Sequence, residues 1–293
     1  MNIKKTGFLL GAFAYAAVLF ADNTRELKLN SPDGVQQVGF YQRQTAPAVN
    51  GLFYRVSFKG QPVIEESRAG LELDNRIWEM ALGQRKLIQP ACWMDNLEVD
   101  SVTYQPETNL TWQPLYGERS SVRDHYRAGT LYLSKKDNSG YRLNIEVRAY
   151  NEGVAFRYFF PEHPKAIFHK VVGDLTEYAL PAGTKAWTEQ WAQAFFERLN
   201  IDDIKHPVER TLTFELPNGK WAALADADVD DWCLTKYLVS TDKKNTLTSV
   251  MYSPVDVVTY YATPWKIVMA ADKPGELLEH NDIIQNLNRS EER

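Results

Sequence analysis

The stretch YRLNIEVRAYNEGVAFRYFF, residues 141–160, decides how the chain is read. Leu143, Ile145, Val147 and Ala149 alternate with Arg142, Asn144, Glu146 and Arg148, the period-two pattern of a strand with one buried face. Tyr150-Asn151-Glu152-Gly153 interrupts the pattern with turn residues, and a second apolar run follows at 154–160. Two such runs about a short turn predict an antiparallel hairpin.

The same pattern repeats outward in both directions. Residues 35–41 follow the turn Ser31-Pro32-Asp33-Gly34, where proline fixes φ and glycine takes φ > 0, and 52–58 run through Lys59-Gly60 into Pro62-Val63-Ile64 as a hairpin. Further strands are predicted at 70–73, 97–104, 109–115 and 128–134, and later at 234–239, 246–252, 257–261 and 266–270. Residues 209–216 and 220–224 flank Pro217-Asn218-Gly219, and Asn-Gly favours a type I′ turn. One helix stands out at 274–287, with Pro274 in its first turn and Leu277, Leu278, Ile283, Ile284 and Leu287 on or near one face. So many strands with scarcely a helical spacer argue against a parallel sheet. They predict an all-β protein of layered antiparallel sheets with a short C-terminal helix.

With 293 residues, 44% hydrophobic and 24% charged, the chain has the composition of a globular protein able to bury a sizeable core. A net charge of -5 offers no basic field for phosphates, which excludes nucleic acid as an expected partner. Cys92 and Cys233 show no metal spacing and are too few for a disulfide framework, so one bridge and two buried thiols both stay open. Lys4 and Lys5 precede the apolar run GFLLGAFAYAAVLFA at 7–21, which falls short of the roughly 20 residues that span a bilayer. Residues 1–21 therefore read as a secretory signal peptide rather than a stable membrane span. The sandwich domain is expected at 22–287, and the charged residues 288–293 as a frayed tail. Residues 200–208, with Pro207, read as a surface connection.

Chemistry is sparse. There is no G-x-S-x-G, H-E-x-x-H, Walker or G-x-G-x-x-G motif, and His125, His163, His169, His206 and His280 are scattered without ligand spacing, as for surface or strand-edge residues. The densest stretch is AWTEQWAQAFFER, residues 186–198, where Trp187, Trp191, Phe195 and Phe196 stand among Glu189 and Glu197. Flat rings beside hydrogen-bonding groups suit a sugar, whose C–H faces stack on aromatics. The same pattern also suits an amphipathic segment covering the end of a sheet. If Phe195 and Phe196 pack inside, the Glu197 carboxylate must reach water, pair with Arg198 or another base, or bind a cation. The acidic run at 225–232 lacks the glycine and terminal glutamate of an EF-hand and reads as a solvated turn.

A series of short segments in order resembles one family over nearly the whole chain: Leu29-Asn30-Ser31-Pro32-Asp33-Gly34, Tyr54-Arg55-Val56-Ser57-Phe58-Lys59-Gly60, Glu66-Ser67-Arg68-Ala69-Gly70-Leu71, Trp112-Gln113-Pro114-Leu115-Tyr116-Gly117-Glu118, Val122-Arg123-Asp124-His125-Tyr126, Asn151-Glu152-Gly153-Val154-Ala155-Phe156-Arg157-Tyr158 and Thr263-Pro264-Trp265-Lys266. They resemble the N-terminal domain of glycoside hydrolase family 97, which includes the periplasmic α-glucosidases and α-galactosidases of gut Bacteroidetes. The resemblance implies a β-supersandwich like that of galactose mutarotases, packed in the family against a (β/α)₈ barrel that carries the catalytic carboxylates. The chain ends where that barrel is expected, so it is expected to be inactive alone, with no catalytic residue of its own. The resemblance further implies an α-linked glycoside as substrate and a secreted, periplasmic location, while the rings of Trp187 and Trp191 in the aromatic stretch are the expected sugar contacts. It also implies one calcium ligand, Glu197, in a site completed by barrel glutamates, with Glu189 in reserve. Alone, the chain is expected to bind calcium weakly or not at all. The chain departs from the family at Asp226-Ala227 and Asp231-Trp232. A free-standing carbohydrate-binding or mutarotase-like module, and a structural sandwich with protein partners only, are the other readings of the same fold.

Overall fold

The computed structural model describes residues 26–47, 49–74, 91–92, 95–115, 117–136, 140–163 and 168–288. The expected signal peptide at 1–21 lies outside them, as do the last five residues of the tail. Among the described residues, antiparallel strands form four sheets. The largest has 11 strands and runs from the edge hairpin Lys185–Thr188 and Glu197–Asn200 through Leu212–Glu215, Trp221–Ala227 and Trp265–Ala271. It continues through Gly153–Phe160, Arg142–Tyr150 and Val122–Lys135 to Leu97–Tyr104, with Thr108–Trp112 and Tyr261–Ala262 paired at its flanks. A four-stranded meander of Glu26–Asn30, Gln36–Ala46, Val49–Phe58 and Gln61–Ala69 covers one part of its inner face. A second four-stranded sheet contains Leu71–Leu73 and Phe168–Asp174, and a three-stranded one joins Glu177–Ala179, Thr246–Met251 and Thr235–Val239. No helix among the described residues is long and apolar enough to cross a membrane.

The predicted hairpin at 141–160 is the middle of the large sheet, with Ile145 opposite Tyr158 and Val147 opposite Phe156. Alternation sends Leu143, Ile145, Val147, Phe156 and Tyr158 into the main core, where Phe156 meets Phe40 edge-on at 5.1 Å and Phe40 stacks on Tyr54 at 5.3 Å. Burying one such ring contributes about 1.5–3 kcal/mol. Burial of the tyrosines requires partners for their hydroxyls. Tyr54 donates to the Glu177 carbonyl at 2.6 Å, and Tyr158 accepts from the Gly70 N–H at 3.0 Å. Gly153 sits where the hairpin crosses Trp265–Ala271. A Cβ there would lie 2.5 Å from the Val268 carbonyl oxygen, so the close approach requires glycine.

The outer face of the large sheet has its own smaller core. Ala223, Ala225, Ala227, Ile267, Met269 and Ala271 present a low apolar surface on which Leu277, Ile283 and Leu287 pack. The C-terminal helix predicted at 274–287 is present as two short helices, Pro274–Glu279 and Asp282–Leu287. At the junction Asn281 N–H donates to the Leu278 carbonyl and Ile283 N–H to that of His280, tighter i→i+3 bonds that turn the chain and bring the apolar residues of both halves onto the sheet. Two histidines expected at the surface are inside: His163 and His169 are buried, with Phe160 and Tyr141 ring contacts around His169. Cys233 is a free, half-buried thiol.

Candidate functional site

Residues 186–198 form neither an amphipathic cover nor a flat platform. Lys185–Thr188 and Glu197–Asn200 are the outermost strands of the large sheet, and residues 189–196 are the loop between them. Trp187 lies opposite Arg198, and Thr188 opposite Glu197. Directly opposed residues share a face and neighbours alternate, so Trp187 and Arg198 stand on the outer face while Glu197 stands on the face of Ala186 and Thr188. The Trp187 indole N–H donates to Glu215 Oε1 at 2.8 Å, and Arg198 donates to the same carboxylate through Nε at 2.8 Å and through Nη2. Arg198, with Trp187 in support, holds the Glu215 carboxyl below the usual carboxylate range.

The loop is anchored at its base and exposed at its tip. Glu209 N–H donates to the Glu189 carbonyl at 2.9 Å, and the buried Lys236 ammonium donates to the Gln190 carbonyl at 2.8 Å while pairing with Glu209 at 2.6 Å. The Glu209 hydrogen bond keeps Lys236 above the usual lysine range. Beyond this base Trp191 is 54%, Phe195 94% and Phe196 65% exposed. Three large rings in water within six residues is the composition of a contact surface. The structure therefore corrects the idea that Phe195 and Phe196 pack inside around Glu197. Glu197 is itself exposed, and its carboxylate has no hydrogen bond or ion pair among the described residues, because Arg198 is committed to Glu215. Glu189 is half-buried beneath the loop.

Trp187, Trp191 and Glu197 thus share one hairpin without converging. Trp187 and Glu197 face opposite ways, and Trp191 stands at the tip. No group of three or more Asp, Glu, His or Cys side chains among the described residues is placed to hold a metal ion. Calcium takes six to eight oxygens and one carboxylate gives at most two, so Glu197 fits such an ion only as a single ligand of a larger set.

Two acids of the run at 225–232 are not solvated. Asp226 is almost buried, bound by Arg210 and by the Thr235 hydroxyl at 3.0 Å, and Asp228 pairs with Arg157 at 3.2 Å. Asp228 and Asp231 take φ of 55° and 52° where the strand ends, so the chain turns sharply and Asp228 folds back toward Arg157. Its N–H donates to Asn288 Oδ1 at 2.8 Å, which fixes the first residue of the expected tail.

A groove that no sequence motif marks lies on the outer face, a cavity of about 450 Å³ between the end of the last helix and Arg148, Arg157, Tyr260 and Trp265. Arg157 lies 4.3 Å and Arg148 4.8 Å from the Trp265 ring centroid, and Arg148 is also 4.6 Å from Tyr126. The available signal was the placement of Arg148 and Arg157 on the polar phase of the two hairpin strands. A His–carboxylate pair also forms. His125 Nε2 and Glu107 Oε1 lie 2.7 Å apart, and Arg127 donates to the other Glu107 oxygen at 2.9 Å. The two groups are bonded to each other, not set apart across a cleft as a mutarotase acid and base must be.

Comparison with known proteins gives this arrangement a family. Residues 29–290 match the family described as Glycosyl-hydrolase 97 N-terminal. A retaining alpha-galactosidase of Bacteroides thetaiotaomicron is 23% identical over 306 residues, covering 98% of this chain and 40% of that protein. Among solved structures, a Glycoside Hydrolase Family 97 enzyme from Pseudoalteromonas sp. strain K8, in complex with panose, superposes with a TM-score of 0.77 at 22% identity, over 90% of this chain and 38% of that one. A beta-arabinopyranosidase superposes with a TM-score of 0.69 at 17% identity, over 84% and 40%. The chain thus spans about two-fifths of the length of these relatives, and the shared part is the layered antiparallel sandwich. By a match that runs almost from the first described strand to the last helix, the chain belongs to the N-terminal domain family of glycoside hydrolase family 97.

Proposed function

We propose that the chain is a non-catalytic wall of a glycosidase active site, acting with a (β/α)₈ catalytic domain on an α-linked glycoside in a secreted, periplasmic enzyme. Its contribution is the edge hairpin. Glu197 supplies one carboxylate ligand to a calcium ion whose other ligands come from the catalytic domain, Trp191 at the loop tip supplies a carbohydrate contact, and Trp187, on the other face of the strand pair, meets only carbohydrate that reaches beyond that centre. The observation that carries this reading is the Glu197 carboxylate. It stands in solvent at the sheet edge without a partner among the described residues, beside a loop of exposed rings, and costs nothing to recruit. A bound calcium would supply a fixed positive charge beside the sugar. The chain's own part is to hold one carboxylate at the right height, through the strand pair Thr188–Glu197 and the Lys236 anchor.

The catalytic carboxylate pair is assigned to the barrel. The purified chain is therefore expected to leave a nitrophenyl α-glycoside unhydrolysed, and measurable turnover that survives repurification would contradict the proposal. A mutarotase-like module is disfavoured because His125 and Glu107 satisfy one another directly.

A further inference from the structure

The groove on the outer face holds a guanidinium that, among the described residues, no carboxylate bonds directly. Arg157 and Arg148 both lie against Trp265, but their surroundings differ. Arg157 pairs with Glu146 at 2.7 Å and with Asp228 at 3.2 Å. Arg148 has no carboxylate within ion-pair distance among the described residues. Its one hydrogen bond among the described residues is a long one, from Nη1 to the Tyr150 hydroxyl at 3.4 Å. Its guanidinium is held between the Tyr126 and Trp265 rings at 4.6 and 4.8 Å, which fixes the plane and leaves most of the N–H fork unspent. Arg148 lines the cavity of about 450 Å³ and also a neighbouring one of about 220 Å³, so the fork sits where the two meet.

We propose that this groove binds a carboxylate-bearing sugar, a hexuronate or a uronate-terminated glycan, with Arg148 receiving the carboxylate. A planar fork with free donors matches a carboxylate in two parallel hydrogen bonds. The size of the larger cavity is that of a small-ligand site. At its rim the Tyr260 ring, 75% exposed, offers a stacking face, and the Asn288 amide N–H₂ remains to donate to a hydroxyl. Glu146 and Asp228 balance the two guanidinium charges and the buried Asp124 adds a negative charge that Arg148 feels, so no field gathers anions here and the hydrogen-bonding fork must do the binding. A phosphate dianion would feel these carboxylates, whereas a monoanion seated on the fork is tolerated. The site is separate from Glu197, which lies at the far edge of the sheet on the opposite face.

Isothermal titration of the chain with galacturonate, glucuronate, galactose, glucose and acetate tests the inference, with Arg148→Gln, Tyr260→Ala and Glu197→Gln in parallel and melting curves as fold controls. One uronate is expected to bind 1:1, at least about tenfold tighter than the matching neutral hexose and than acetate. Arg148→Gln should abolish that preference and Tyr260→Ala should weaken binding several-fold. Glu197→Gln should leave it unchanged, which separates this site from the calcium reading. Equal affinity for the neutral hexose, no uronate binding, or an Arg148→Gln variant that keeps the preference would each overturn the proposal. Acetate binding as tightly as the uronate would overturn the sugar half of it. If Arg148→Gln fails to fold, the exposed Tyr260→Ala decides, and unchanged affinity in that variant counts against the groove.

Discussion

Replacing Lys266 by methionine should unfold the sandwich more readily than any surface change. The Lys266 ammonium and the Asp174 carboxylate are both buried and paired, with side-chain exposures of 9% and 1%. Asp174 Oδ1 also accepts from Thr176 N–H at 3.1 Å and from its hydroxyl at 2.6 Å, and the Thr176 and Tyr158 hydroxyls are 2.7 Å apart. This network ties the large sheet, through Lys266, to the strand Phe168–Asp174 of the second sheet. Removing the cation leaves a buried carboxylate with neutral donors only, which costs about 3–5 kcal/mol. At roughly 2–4 °C per kcal/mol for a domain of this size, the melting temperature should fall by about 6–20 °C. Urea unfolding followed by tryptophan fluorescence measures the change. The double variant Lys266→Met with Asp174→Leu should recover most of it, because no unpaired charge then remains. A single variant costing less than about 1 kcal/mol, or a double variant costing the sum of both singles, would refute the reasoning. Burial pushes the Lys266 pKa down, but Asp174 outweighs it and holds the group above the usual lysine value. The contribution from Lys266 protonation is therefore complete below pH of about 10.4 and is lost as pH rises through the higher folded value.

Three further outcomes follow from particular contacts. Gly153→Ala places a Cβ 2.5 Å from a backbone carbonyl oxygen and should destabilise by about 1–3 kcal/mol in the same urea assay. Burial, with His163 beside it, pushes the His169 pKa down to about 4, so between pH 6.5 and 4 the unfolded chain takes up a proton that the folded one refuses. Stability should fall by up to roughly 3 kcal/mol as pH drops across that window, and a His169→Phe variant should lose this component of the slope. Glu197→Gln should shift stability by no more than about 0.5 kcal/mol, since the carboxylate is exposed and unpartnered among the described residues. A large drop in melting temperature would mark it as a structural ion pair instead.

Strands with a clean alternation were legible from the residues themselves. Leu97–Tyr104 has the predicted bounds, and Arg142–Tyr150 and Gly153–Phe160 differ by one residue. The turn at Pro217-Asn218-Gly219 is present but is not the predicted type I′: Gly219 takes φ 79° while Asn218 keeps a negative φ, and Gly219 N–H donates to the Leu216 carbonyl at 3.0 Å across Pro217 and Asn218. The four-residue strands Lys185–Thr188 and Glu197–Asn200 were not legible, because two inward positions each give no period and the aromatic loop between them reads equally well as a helix face. The interruption of the last helix was hidden for a similar reason, since Leu277, Ile283 and Leu287 fit one continuous stripe. Charge placement was least visible. Asp226 and Asp228 look solvated in a row of acids, and their partners come from elsewhere in the chain, Arg210 from the loop before Leu212–Glu215 and Arg157 from the strand Gly153–Phe160. Arg148 and Trp265 meet across more than a hundred residues, which local pattern cannot anticipate.

Calcium titration of the isolated chain and of its mixture with a family 97 barrel domain, each with and without Glu197→Gln, tests most directly whether the hairpin is half of a shared site. No tight, stoichiometric uptake by the chain alone, uptake by the mixture, and its loss in the variant are the predicted results. Tight 1:1 calcium binding by the isolated chain, or binding by the mixture that Glu197→Gln leaves untouched, would contradict the account.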